Sequence, residues 1–128
     1  MRRFVPCLLL LIIVALPACR EQSKEEIYQQ GMEFVSAGNY RAAVSLFKNA
    51  LDKDPNYIDA RLQLGIAYQE TNKLDKAESE LEKVLRQDPS GYEVTLRLAQ
   101  IYLLTERIPK AIQRLSELEK THLSLIHI

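Results

Sequence analysis

Two hydrophobic patterns divide the chain. From Phe4 to Leu16 apolar residues run almost unbroken behind Met1-Arg2-Arg3, whereas from Lys24 onward they recur at steps of three and four. Ala43, Phe47 and Ala50 show the second pattern, and Ala77, Leu81 and Val84 repeat it. Such spacing puts apolar side chains on one face of a helix, and nothing alternates with the period of two that marks a strand. Polar and proline-bearing breaks divide this region into six predicted helices, over about 24–37, 40–52, 57–71, 74–86, 92–104 and 108–119. Ser23 with Glu26 and Ser90 with Glu93 fit the capping box, in which a hydroxyl and a carboxylate three residues later satisfy orphan amides reciprocally. Asn39 and Asn56 are expected to cap the helices that follow them. Pro55 and Pro89, each after an aspartate, end helices, while Pro109 is tolerated in a first turn, where no amide partner is missed.

The helices repeat. Gly31, Gly65 and Ala99 stand 34 residues apart, as do Phe34, Tyr68 and Tyr102, and Ala43, Ala77 and Ala111. Phe47, Leu81 and Leu115 keep the same step, as do Ala50, Val84 and Leu118, and Pro55 and Pro89. This period, with small, aromatic, alanine, large apolar and proline columns, resembles the tetratricopeptide repeat (TPR). The resemblance implies an all-α solenoid of three antiparallel helix hairpins, with units at 24–57, 58–91 and 92–122. Each hairpin needs a stacked neighbour to bury its apolar face. Small residues at Gly31, Gly65 and Ala99 are expected to admit the second helix of each unit, faced by Ala43, Ala77 and Ala111. Phe34, Tyr68 and Tyr102 are expected between the helices of a unit, and Phe47, Leu81 and Leu115 toward the next unit.

The opening run changes the picture of location. A basic start, an apolar stretch and small residues before Cys19 form a secretory signal over 1–18, shorter than the roughly 20 residues that span a bilayer. Leu16-Pro17-Ala18-Cys19 resembles the lipobox of bacterial lipoproteins, which implies cleavage before Cys19 and a covalent lipid on its thiol. Residues 19–23 then form a lipidated end and short linker. Anchorage through acyl chains follows, on the periplasmic side of the envelope; by the same resemblance Arg20, which is not the retaining aspartate, favours the outer over the inner membrane. With Cys7 lost and Cys19 lipidated, no thiol remains for a disulfide or metal.

Of the 17 basic residues Arg2 and Arg3 belong to the signal, leaving 15 against 17 acidic ones, a balance that argues against nucleic acid as a partner. No nucleophile and base, metal-ligand spacing or glycine-rich phosphate loop is present, so neither catalysis, metal nor cofactor is expected. The run holding Glu78, Glu80, Glu82 and Lys83 reads as a solvated helix face.

A binding surface remains. In TPR arrays the first helix of each unit lines the concave side. Here that implies a groove of Glu25, Tyr28, Met32 and Val35, then Asp59, Leu62, Ile66 and Gln69, then Glu93, Leu96, Gln100 and Leu103. An apolar strip edged by Glu and Gln suits an extended peptide or amphipathic helix, although several of these side chains are also placed to pack between units. The places where chaperone-binding TPR modules carry their carboxylate-gripping residues hold Tyr28, Met32, Glu93 and Arg97, and only Arg97 fits. The lipobox cysteine, SKEE soon after it and YRAAVSLFKNALDKDPNYIDARLQLGIAY together resemble the TPR lipoproteins of the PEP-CTERM/exosortase and exopolysaccharide system. This implies a membrane-anchored scaffold for other envelope proteins or peptides. The rival readings are a pilus-biogenesis or outer-membrane-assembly TPR lipoprotein, and the front of an enzyme whose catalytic domain follows. Residues 123–128, LSLIHI, resemble a translated transposon end used in sequencing libraries and are expected to be a non-native tail that cuts short a longer array. Without further repeats, the face holding Ile112 and Leu115 is expected to stay uncovered.

Overall fold

The computed structural model describes residues 20–126; the signal, Cys19 and residues 127–128 lie outside the described residues. Six helices follow in order: α1 (Lys24–Ser36), α2 (Tyr40–Lys53), α3 (Ile58–Glu70), α4 (Leu74–Gln87), α5 (Tyr92–Leu104) and α6 (Ile108–Ile126). Each packs on the next, so α1–α2, α3–α4 and α5–α6 are hairpins stacked in chain order. Pro109 sits in the first turn of α6.

Two caps form as expected. Ser23 Oγ accepts from the Glu26 amide at 3.1 Å while the Ser23 amide donates to Glu26 Oε2 at 3.0 Å, and Asn39 Oδ1 accepts from the Ala42 amide at 3.2 Å. The other two do not. Asp54 Oδ1 takes the Asn56 amide at 2.9 Å and Asp88 Oδ1 takes the Ser90 amide at 3.0 Å and its hydroxyl at 2.6 Å. These aspartates, placed before Pro55 and Pro89, fold the chain through an extra tight turn. Helix entry slips one residue, to Tyr57 and Gly91, neither of which makes a side-chain cap bond. The sixth helix also departs from expectation, running through residues 120–126 because no proline stands at Leu123 to stop it.

Within each hairpin the turn passes through one left-handed residue: Gly38 at φ +72°, Asn72 at 57° and Glu106 at 58°. The residue after it returns an amide to the carbonyl of Phe34, Tyr68 or Tyr102, which satisfies a helix-end acceptor at 2.7–2.8 Å.

One apolar core threads the three hairpins, from Ala43 and Phe47 through Leu64, Leu81 and Leu98 to Ile101 and Ala111. Its tightest contacts explain the glycine column. A Cβ on Gly31 would lie 2.5 Å from Phe47 Cε1, and one on Gly65 would lie 2.8 Å from Leu81 Cδ2. The groups directly over the glycines are therefore Phe47 and Leu81 of the same hairpin, four residues beyond the alanines expected there. Phe47 and Leu81 are fully buried and join the core shared with the following hairpin, whereas Leu115 is 42% exposed. Among the described residues no helix packs over α6 from the far side, and Ile112 is exposed as expected.

The aromatic column splits for the mirror-image reason. Tyr68 and Tyr102 are buried but Phe34 is exposed. Tyr102 donates to Glu82 Oε1 of the preceding hairpin at 2.7 Å, so this column packs backward as well as within its own unit. No helix precedes α1 among the described residues, and α1 carries Glu26, Gln30 and Glu33 where α5 carries buried Val94, Leu98 and Ile101. Polar residues thus give α1 a water-facing side.

The acidic run in α4 is not a solvated face. Glu80 pairs with Arg61 of α3 at 2.7 Å, Glu78 receives Arg107 Nη1 at 3.0 Å, and Glu82 receives Arg114 of α6 at 2.7 Å besides Tyr102. All three carboxylates are half-buried, because stacking brings guanidinium groups from three other segments onto α4. Burial would raise the Glu82 pKa, but the Tyr102 and Arg114 bonds outweigh it and hold the group below the ordinary carboxylate range. Burial and the Glu82 bond and charge push the Tyr102 phenol up to about 12 from 10.0. The folded state thus keeps a proton that the unfolded chain begins to lose near pH 10, so this contribution is intact below pH 10 and fades as pH rises toward 12. Between pH 9 and pH 11, wild type is expected to lose about 1 kcal/mol more stability than Tyr102→Phe. Urea unfolding at several pH values measures this, and parallel losses in both proteins would disprove it.

Candidate peptide-binding groove

The first helices of the hairpins, α1, α3 and α5, carry the expected groove residues in matching places, since 34 residues separate each column member from the next. Their first row is acidic: Glu25, Asp59 and Glu93 are all exposed. Behind it Tyr28, Leu62 and Leu96 form a half-buried apolar row. The third row holds half-buried Met32, nearly buried Ile66 and exposed Gln100, and the fourth holds half-buried Val35 and Gln69 with Leu103 49% exposed.

Several of these side chains serve packing first. Tyr28, Met32, Val35 and Leu62 lean on the main core, and Ile66 offers little surface to a ligand. On α5 Gln100 and Leu103 are exposed and Leu96 is half-buried, so this helix offers both polar and apolar surface.

The structure brings two groups of these residues together. Gln69 Nε2 donates to Gln100 Oε1 at 3.3 Å, Arg97 Nη1 donates to Gln69 Oε1 at 3.2 Å, and Arg97 Nε donates to Glu93 Oε1 at 3.0 Å. This chain of bonds ties α3 to α5. At the other end Tyr28 stands between Phe47 and Tyr57, with ring centroids 5.8 and 5.3 Å away. Burial, with the Asp59 charge second, raises the phenol pKa of both Tyr28 and Tyr57. Lys24 Nζ lies 5.0 Å from the Tyr57 ring centre and is bonded to Asp54, with Glu25 at 3.7 Å.

Tyr57 was not among the expected groove residues, and Arg97 was expected there only as the one match to a carboxylate clamp, not as a partner of Glu93. For Arg97 a signal existed: it stands four residues after Glu93, a spacing that pairs opposite charges on a helix. Tyr57 was legible only as a helix start, and its place beside Tyr28 depends on how α3 docks.

Elsewhere a cleft of about 350 Å³ lies between the second and third hairpins, bordered by Pro89, Thr95 and Arg114. At the equivalent place in the first interface Arg61 reaches the Pro55 carbonyl and Glu80, filling the gap that Thr95 leaves open. Among the described residues no group of His, Cys, Asp and Glu is placed to hold a metal ion, and no helix is long and apolar enough to cross a membrane.

Family models for the tetratricopeptide repeat match residues 34–90 and 77–123. The chain belongs to the tetratricopeptide-repeat family. No curated protein matches it. Among solved structures it is similar to MamA, with a TM-score of 0.78 and 20% identity over 83% of this chain and 62% of that one. YrrB, described as a TPR protein with an unusual peptide-binding site, gives 0.73 and 22% over 84% and 57%. The second TPR of Spaghetti (RPAP3), bound to the HSP90 peptide SRMEEVD, gives 0.70 and 18% over 76% and 90%. At these identities the likeness is one of fold, and the chain spans less than two thirds of MamA and YrrB. The TPR assignment accounts for the all-helical hairpin stack seen here, with no strand among the described residues.

Proposed function

We propose that this TPR chain is a non-catalytic scaffold for protein–protein interaction, holding a peptide or helix of an envelope protein in the groove of α1, α3 and α5. The observation that carries the reading is the row of Tyr28, Leu62 and Leu96, one per hairpin, with apolar surface left over after packing and polar groups on either side. Such a strip contributes affinity through apolar burial and register through its edges. Of the similar solved structures, the Spaghetti (RPAP3) domain is bound to a peptide and YrrB has a peptide-binding site, which agrees with this use of the fold. The membrane setting rests on the signal-like start and Cys19, and lipid on that cysteine is the proposed anchor. The task proposed for the scaffold, exopolysaccharide production or protein sorting, rests on the resemblance of its lipobox, SKEE and first repeat to PEP-CTERM-associated lipoproteins.

Site-specific photo-crosslinking in cells tests the groove. A photoreactive residue at Leu96, Gln100 or Leu103 is expected to capture a partner protein, whereas one at exposed Lys48 or Gln87 on the second helices is not. Crosslinks confined to the second helices would overturn the reading.

A further inference from the structure

We propose that the groove takes a basic segment, a peptide or helix carrying lysine or arginine beside its apolar residues. This rests on the groove reading above and adds the charge of the occupant. Glu25, Asp59 and Glu93 recur once per hairpin along one edge of the apolar row, so a segment lying in the groove passes three carboxylates in sequence. Their cationic neighbours are largely committed: Lys24 is bonded to Asp54, and Arg97 to Glu93 and Gln69. Asp59 has no ion-pair partner among the described residues.

A separate observation concerns the aromatic corner. The chain itself holds an ammonium there, since Lys24 Nζ lies 5.0 Å from the Tyr57 ring centre, and Tyr28 stands beside that ring. Tyrosine faces attract cations through their quadrupole. Asp59 follows Tyr57 by two residues at the start of α3 and is exposed, and its charge adds to the burial that holds the protons on Tyr28 and Tyr57. A partner's ammonium or guanidinium entering this corner meets an unpaired carboxylate and aromatic surface together. An acidic segment meets the unpaired carboxylate of Asp59, while Glu25 and Glu93 are shared with Lys24 at 3.7 Å and Arg97 at 3.0 Å. Without the signal the chain carries 15 basic and 17 acidic residues, a near balance that gives neither sign of peptide a strong overall attraction.

Two synthetic amphipathic peptides with identical leucine positions, one with lysine and one with glutamate at every polar position, test the proposal by fluorescence anisotropy. The protein is the full chain in nonionic detergent. The lysine peptide is expected to bind about tenfold more tightly at roughly 50 mM salt, with the advantage shrinking as salt screens the exposed pairs. The double variant Glu25→Gln, Asp59→Asn is expected to weaken the lysine peptide about threefold to tenfold without weakening the glutamate peptide. Both replaced side chains are exposed, and circular dichroism confirms that the variant is folded. Equal affinities, a preference for glutamate, or an unchanged lysine affinity in the double variant overturns the proposal. Crosslinks from Leu96 or Gln100 without a lysine preference would leave the groove reading standing and remove only the charge assignment. Absence of both crosslinks and peptide binding removes both.

Discussion

Gly65→Leu is expected to lower the unfolding free energy of the array by about 3 kcal/mol or more, the upper end of overpacking costs. The reason is local and steric. A Cβ at position 65 would stand 2.8 Å from Leu81 Cδ2 and 2.9 Å from its Cγ, with the Leu81 backbone nitrogen 3.6 Å away. Leu81 is fully buried in the shared core, so it has no solvent-side space into which to swing. Relief requires α3 and α4 to separate, which opens the contacts α3 makes with α2 and those α4 makes with α5. Because solenoid stability is a sum of repeat and neighbour terms, damage in the middle hairpin weakens both interfaces. Even Gly65→Ala sets this clash against about 1 kcal/mol of helix propensity gained. Gly38 is a useful contrast: nothing lies within 4 Å of a Cβ there, but φ is +72°, so Gly38→Ala is limited by backbone conformation alone. Urea unfolding followed by circular dichroism reads these differences, and a Gly65→Leu midpoint matching wild type would refute the assigned hairpin packing.

Cys19→Ser is expected to abolish membrane attachment while leaving the helices intact. Cys19 lies outside the described residues, and the argument is chemical. A serine hydroxyl cannot form the thioether that carries the diacylglycerol. Each buried methylene contributes about 0.8 kcal/mol, so one acyl chain binds marginally and two hold stably; losing the lipid removes the whole term. No helix among the described residues is long and apolar enough to replace it. Fractionation with a carbonate wash checks this, and mutant protein retained in the pellet would contradict the lipid-anchor proposal. The helical circular dichroism of purified mutant and wild type should coincide, since the first helix among the described residues begins at Lys24, after Cys19.

How much was legible follows from how far apart the interacting atoms are in sequence. The 3.6-residue pattern and the 34-residue period were readable because a helix face and a recurring column are properties of short segments. Ser23 and Asn39 were readable as caps because each bonds an amide three residues away. Asn56 and Ser90 failed at the same range, because Asp54 and Asp88 compete for their amides. The groove rows were legible through the repeat, but the repeat alone does not say how much of each side chain packing consumes. Ile66 is nearly buried and Gln100 is exposed although they share a column.

By itself, then, the chain's order of residues determined six helices, their pairing into hairpins and the small residues on which the pairing depends. Tertiary structure alone decided what each column touches. Phe34 and Tyr102 share a column, yet one is exposed and the other 2% exposed, and Phe47 and Leu115 differ in the same way. Glu78, Glu80 and Glu82 are drawn from water by arginines 29, 19 and 32 residues away. The physical reason is that a stacked array satisfies its side chains through neighbouring units. Whether a residue is core, rim or surface depends on which helix stands beside it, and a single repeat carries no record of that.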